Sequence, residues 1–456
     1  MTDVNENREL GTKPINSLVK KYCAAGLIGL LFQAFQISTD GFLVGNGLGE
    51  LGLSTIAIVV PLLSFAMAIG CLIGVGGTSL AAIHLGKGER EEARRLFGQC
   101  VWYGLFAGVV ITILGLLFTP QIAVFLGATG NLVEPCSAYV QRYFMFFPFY
   151  VLGCIFYYFV RLDEKPFIGS LAFIIPPLYA EVVEYFCIFQ WGVGTASSST
   201  AYGLTVGSWA LIGFYFIFSR KTLFKAKLSD AKLDMKLIKN VNIAGLATFA
   251  VQMAIAAIAV IINAFLIQYS DATDTAVFGV LNGYLMYILT LIVTLAFAPG
   301  LQPIASFNFG AKSYERVRKA LNLTSLYTVI IMGIICIAIL LAKDYVLFFF
   351  IGDDPDLIAA ASSRIYLYLG LFAFGCLSFV VSGYYQAIEK DGLACFTALC
   401  RNVIYLLPVA FLLTGVFGLK DIGVWMTMPV CETLSFATSM FLIVRENKRL
   451  RMIEAD

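Results

Sequence analysis

RKALNLTSLYTVIIMGIICIAILLAK (318–343) carries no charged side chain between Lys319 and Lys343. At 1.5 Å per residue, a helix over that interval is long enough to cross a bilayer core of about 30 Å. In hydrocarbon every backbone N–H and C=O needs an internal partner, so a continuous apolar run reads as helix. Similar runs recur along the whole chain and are continuous rather than alternating, which argues against a barrel. The 456 residues are 59% hydrophobic and 13% charged, with mean hydropathy +0.85. A soluble domain would carry about 25% charged residues. The chain reads as an all-α polytopic membrane protein.

Spans are expected near 22–48, 53–83, 94–118, 137–160, 168–190, 202–219, 240–268, 276–303, 319–342, 361–387, 394–416 and 422–444, numbered here helix 1 to helix 12. Lysine and arginine mark the cytoplasmic side. Counting the termini and the even-numbered loops, and placing Arg401 with the loop charges at 390–401, 27 of the 31 fall on one side. The exceptions are Arg142, Lys343, Arg364 and Lys420, and the odd loops are acidic or neutral, as in DATD (271–274) and GDDPD (352–356). Both termini are therefore expected in the cytoplasm, in a multi-pass plasma-membrane protein. The polar first twenty residues read as a cytoplasmic lead-in, with no cleavable signal peptide expected. Eleven cysteines are scattered singly, without metal spacing, and read as small buried hydrophobes.

The chain repeats itself. GVGGTSLAAIHLG (74–86) superposes on APGLQPIASFNFG (298–310) at an offset of 224, and FLGATGNLVEP (125–135) matches FIGDDPDLIAA (350–360) at 225. The halves are 1–228 and 229–456, joined by the basic segment 220–239. Six spans per half make parallel repeats, related by an axis along the membrane normal. That arrangement is the layout of a rocking transporter, with a cavity between two bundles.

QPIASFNFGAKSYERVRKA (302–320), GVGGTSLAAIHLGKGEREEA (74–93), DGFLVGNGLGELGLSTIAI (40–58), YYQAIEKDG (384–392) and GVWMTMPVCE (423–432) lie in the order found in the multidrug and toxic compound extrusion (MATE) family. The chain resembles that family over nearly its whole length. The resemblance implies a twelve-helix antiporter, monomeric and not an enzyme, that expels cationic or amphiphilic compounds in exchange for protons or sodium. A flippase-like exporter of a lipid-linked or polysaccharide precursor is the alternative. No cofactor or bound metal is implied, and the basic loops reflect orientation rather than nucleic-acid binding.

Four carboxylates lie inside apolar spans: Asp40, Glu181, Glu184 and Glu432. Such groups are costly in hydrocarbon and mark pathways or relays. Asp40 follows Gln36 and Gln33 at helical spacing, giving helix 1 one polar face, and about 27 Å of helix places it in the outward half. Glu181 and Glu184 share a face of helix 5 behind Pro176 and Pro177, which remove two amide donors. Two carboxylates so close do not both ionise easily. The resemblance implicates the helix 1 aspartate in ion coupling and puts Glu184 where many members carry Asp. Those members often have Asn four residues earlier, where this chain has Ala180, and the departure favours protons. Arg142 on helix 4 is the alternative partner for these carboxylates. In the second half, helix 7 offers Gln252 and Asn263, and Glu432 follows Pro429; coupling is expected in the first half. Tyr143, Phe147, Tyr150 and Tyr157, with Arg142, are read as a cavity wall, because aromatic faces attract planar cations.

Overall fold

The computed structural model describes residues 8–194, 196–269, 272–352 and 354–455. Among these, twelve helices are long and apolar enough to cross a membrane. Helix 1 spans Ile15–Gly49, helix 2 Ile58–Gly86, helix 3 Arg90–Leu117, helix 4 Gly130–Leu162, helix 5 Pro166–Gln190 and helix 6 Ser197–Phe218. Helix 7 runs Met235–Tyr269. Helix 8 spans Tyr287–Gly310, helix 9 Tyr314–Leu341, helix 10 Pro355–Ala387, helix 11 Asp391–Val416 and helix 12 Lys420–Glu454. No strand occurs among the described residues.

Several helices outrun their apolar windows. Helix 1 begins at Ile15 rather than 22, and its first turns bury Leu18, Val19 and Tyr22 while Lys20 stays exposed. Helix 12 continues past 444, where Glu446 is buried and pairs with Lys390 at 2.8 Å. These turns are amphipathic, so mean hydropathy does not reveal them.

The internal repeat is visible in the backbone. Gly88 and Lys312 close helices 2 and 8, and Glu164 and Glu389 close helices 4 and 10, all with positive φ. After each, the next N–H returns to the carbonyl five residues back: Glu89 to His84, Lys165 to Val160, Ser313 to Asn308 and Lys390 to Tyr385, at 2.8 to 3.1 Å. This is the Schellman way of satisfying terminal carbonyls. Three of the four left-handed residues are not glycine, so the turn is imposed by its surroundings rather than by local freedom. Widened π turns at Phe186–Gln190 and Leu412–Val416 precede Gly192 and Gly418, extending the match to helices 5 and 11.

The chain forms two compact units. One comprises the described residues up to Lys13 with Lys21–Gln252; the other comprises Pro14–Lys20 with Met253–Asp456. The start of helix 7 thus belongs to the first unit, and glycines are the reason. A Cβ on Gly245 would stand 1.9 Å from the Leu72 carbonyl oxygen, and one on Gly76 would stand 2.1 Å from that of Val241. Helices 2 and 7 therefore touch backbone to backbone, as small residues permit in membranes. Gly245→Ala is expected to force them apart and cost about 1–3 kcal/mol. Thermal unfolding of the solubilised protein checks this.

The segment before helix 7 is fastened to helix 3. Arg94 donates from Nη1 to Asp230 Oδ2 (2.8 Å) and from Nη2 to Oδ1 (3.2 Å). Gln99 Nε2 donates to the carbonyls of Asp230 (2.9 Å) and Lys232 (3.0 Å), while its Oε1 accepts from the Asp234 amide (2.8 Å). Gly98 leaves room for the Asp230 carboxylate, since a Cβ there would lie 2.1 Å from Oδ2. Burial works to raise the Asp230 carboxyl, but the Arg94 guanidinium and the Lys227 amide hold it below its ordinary value. Asp230→Asn is expected to cost about 1–3 kcal/mol at neutral pH. A depressed carboxyl stabilises above its ordinary value and loses that contribution as pH falls through the lower folded value. The stability gap between parent and variant should therefore close only below about pH 4. Paired unfolding curves at neutral and acidic pH measure it.

In the second unit, Arg401 corrects the charge count. It stands within helix 11, nearly three turns past Asp391, on the widened turn Cys400–Ile404, and is buried. Its guanidinium donates from Nε to Glu432 Oε1 of helix 12 at 2.8 Å and from Nη2 to the same oxygen, while Nη1 donates to Asn402 Oδ1 at 2.8 Å. The rings of Phe372 and Phe379 lie 5.3 and 5.6 Å from it. Gly375 of helix 10 makes space for Glu432, because a Cβ would fall on Oε2. This placement gives Glu432 an ionic partner inside the unit.

Candidate functional site

In the first unit, helices 1, 4, 5 and 6 bring together the side chains that carry chemistry. Asp40 sits on helix 1 two turns before Gly49, where the helix breaks at φ +61° and ψ −150°, a conformation that suits glycine. Helix 6 faces it with a run of small hydroxyl residues. Ser198 Oγ donates to Asp40 Oδ1 at 2.7 Å. One turn nearer the chain start, Gln36 Nε2 donates to Thr205 Oγ1 at 2.9 Å, a second polar link between helices 1 and 6. The close approach of helices 4 and 6 is again set by glycine: a Cβ on Gly153 would lie 2.5 Å from Trp209 Cβ.

Helix 5 supplies the other two carboxylates. Pro176 and Pro177 lie within it, and Glu181 and Glu184 follow on the buried side. Glu184 is fully buried and Glu181 is 7% exposed, whereas Asp40 is half-buried. Among the described residues, no oxygen of Glu181 or Glu184 has a hydrogen-bond partner by donor–acceptor geometry. The Glu184 carboxyl lies beside both Asp40 and Ser198, close enough for a carboxyl–carboxylate hydrogen bond when one of the pair holds a proton. Tyr139 of helix 4 is buried next to Ser198 and within the field of Asp40 and Glu184.

Arg142 donates to Thr200 Oγ1 at 3.2 Å. Among the described residues it forms no ion pair with Asp40, Glu181 or Glu184, so the cluster of three carboxylates has no fixed counter-ion. No group of three acidic, histidine or cysteine side chains among the described residues is close enough to hold a metal ion. Among the described residues, the Ser198 hydroxyl is the donor that this cluster holds. The arrangement can store and pass protons, or attract a cation, without a permanent salt bridge.

Other expected residues fall elsewhere. Gln33 is half-buried on the same helix as Asp40, and among the described residues its Oε1 has no partner. Gln252 is buried at the end of the first unit, and the side chain of Asn263 lies outside the described residues. The aromatic stripe is a correction. Tyr143, Phe147, Tyr150 and Tyr157 are each no more than 2% exposed. Tyr143 packs on Tyr202, Phe147 on Phe144, Tyr150 on Trp209, and Tyr157 on Phe173 and Trp209. Tyr150 Oη also reaches Met67 Sδ, and Tyr157 Oη accepts from Arg161 at 2.9 Å. The stripe is the interior seam of the first bundle rather than an open wall. Ser198 and Tyr139 are the site residues that sequence reasoning missed.

The fold and the site define a two-unit, twelve-helix polytopic membrane protein whose first bundle holds a carboxylate cluster with no counter-ion among the described residues. The family model described as MatE matches residues 27–176 and 247–412. The chain belongs to the MatE family. It is 22% identical over 433 residues to the multidrug export protein MepA of Staphylococcus saprophyticus, covering 94% of this chain and 93% of that one. Among solved structures, it is similar to the outward-facing conformation of a multidrug resistance MATE family transporter of the MOP superfamily. That likeness has a TM-score of 0.89 at 18% identity and covers 98% of each chain. A MOP superfamily transporter from Pyrococcus furiosus gives the same TM-score, 0.89, at 18% identity and the same coverage. At these identities the structural likeness speaks to the fold alone.

Proposed function

We propose that the chain is a secondary antiporter of the plasma membrane that exports cationic or amphiphilic compounds in exchange for protons. In this reading transport runs by rocking-bundle alternating access, and both termini face the cytoplasm. Family membership and the relatives named as multidrug exporters support the transport class. The observation that carries the coupling is the cluster itself: Asp40, held by Ser198, stands beside Glu184, and among the described residues no cation pairs with either. A proton arriving at this pair lowers the negative charge that would hold a cationic substrate, and so favours the conformation that releases it. A ligand moves such an equilibrium only by its differential affinity for the two states, and a proton in a dry carboxylate cluster has a large one. Glu181 adds a further titratable group; Arg401 keeps Glu432 out of that role in this conformation. No cofactor takes part, and the monomer is the working unit.

Dye efflux from vesicles with the pH gradient and the sodium gradient imposed separately tests the reading. Efflux driven by the pH gradient alone is the expected result. Efflux that follows only the sodium gradient would replace the proton with sodium.

A further inference from the structure

We propose that Glu181 is a second proton carrier, so that each turnover moves one proton more than the Asp40–Glu184 pair supplies. This rests on the reading of Asp40 as the coupling group.

Glu181 lies one helical turn before Glu184 on the same face of helix 5 and is more than nine-tenths buried. The charged groups whose fields reach it are Asp40 from helix 1 and Glu184 from its own helix, both of its own sign. From helix 6, the Ser198 hydroxyl is given to Asp40. From helix 4, Tyr139 stands at Ser198, and Arg142 is turned to Thr200. Neither oxygen of Glu181 has a partner among the described residues. A buried carboxylate with no donor and no cation is too costly to persist, so the closed site keeps Glu181 protonated. Glu184 is treated differently, because it can share a single proton with Asp40 across the short gap between them. The closed cluster thus holds two protons, one shared within the pair and one on Glu181.

When the site opens, water supplies the missing donors. Each O–H bond then breaks heterolytically, leaving its electron pair on the carboxylate and its proton on water. A pair acting alone exchanges one proton for a monovalent cation and moves no net charge. With Glu181 included, two protons enter for one monovalent cation leaving, and one positive charge moves inward per cycle. Transport then responds to membrane potential, by about 50-fold in the equilibrium cation ratio per 100 mV.

The test uses full-length protein in proteoliposomes with ethidium as the monovalent probe. The pH gradient and a potassium–valinomycin potential are set independently. The parent is expected to build an ethidium gradient with either force alone. Glu181→Gln is expected to keep the pH-driven gradient and lose the response to potential. A parent that follows the pH gradient and ignores the potential overturns the proposal, as does a Glu181→Gln protein that still responds to potential. A parent that ignores the pH gradient overturns the coupling reading itself, a distinguishable failure. Glu181→Met serves as the second variant, and the parent's own response to potential decides the matter if neither variant folds.

Discussion

Asp40→Asn protein is expected to fold normally and to show no pH-driven dye efflux above that of protein-free vesicles. The substitution is nearly isosteric, and an Asn Oδ1 still accepts the Ser198 hydroxyl at the position where Asp40 Oδ1 accepts it at 2.7 Å. The neighbouring link from Gln36 to Thr205 is untouched. What disappears is the proton shared between Asp40 and Glu184, and with it the change of charge on that pair. Unfolding temperature and size-exclusion profile should match the parent while transport is lost. Efflux at the parental rate would mean that coupling runs through another group.

The second large effect is on stability. Arg401→Ala is expected to destabilise the protein by about 3–5 kcal/mol, because it strands Glu432 as a buried carboxylate without its partner. Glu432 is 1% exposed, Arg401 2%, and two donors of the guanidinium converge on one carboxylate oxygen. Replacing both members by methionine is expected to recover most of that loss, since a well-packed apolar pair avoids the desolvation cost altogether. A double-mutant cycle read by thermal unfolding gives the coupling energy directly. Additive effects of the two single substitutions would show that the two side chains do not act as a pair.

The twelve spans were legible because each is a charge-poor window of bilayer length, and the repeat was legible because segments such as 74–86 and 298–310 match at a nearly constant offset. Helix ends were not, since the extra turns of helices 1 and 12 bury one face only and leave no hydropathy signal. Asp40, Glu181 and Glu184 stood out as carboxylates in apolar runs. Ser198 did not, because a serine in a span is unremarked, and its pairing with a residue 158 positions away has no local signature. Arg401 was visible as a lone arginine in an apolar run, yet charge counting assigned it to the preceding loop. The tyrosine and phenylalanine stripe of helix 4 shows a different limit: periodicity says that residues share a face, and leaves open whether that face meets a cavity or a neighbouring helix.

The anchored segment 225–234 and the close contact of Gly76 with Gly245 bear on biogenesis. The first unit is unfinished when residue 228 leaves the ribosome, since its packing is completed by Met235–Gln252. A polypeptide ending near residue 228 would enter the bilayer with the Gly76 face of helix 2 uncovered. One ending after Gln252 carries its own cover. Split halves of this protein should therefore assemble best when the cut is placed after helix 7 rather than in the loop before it.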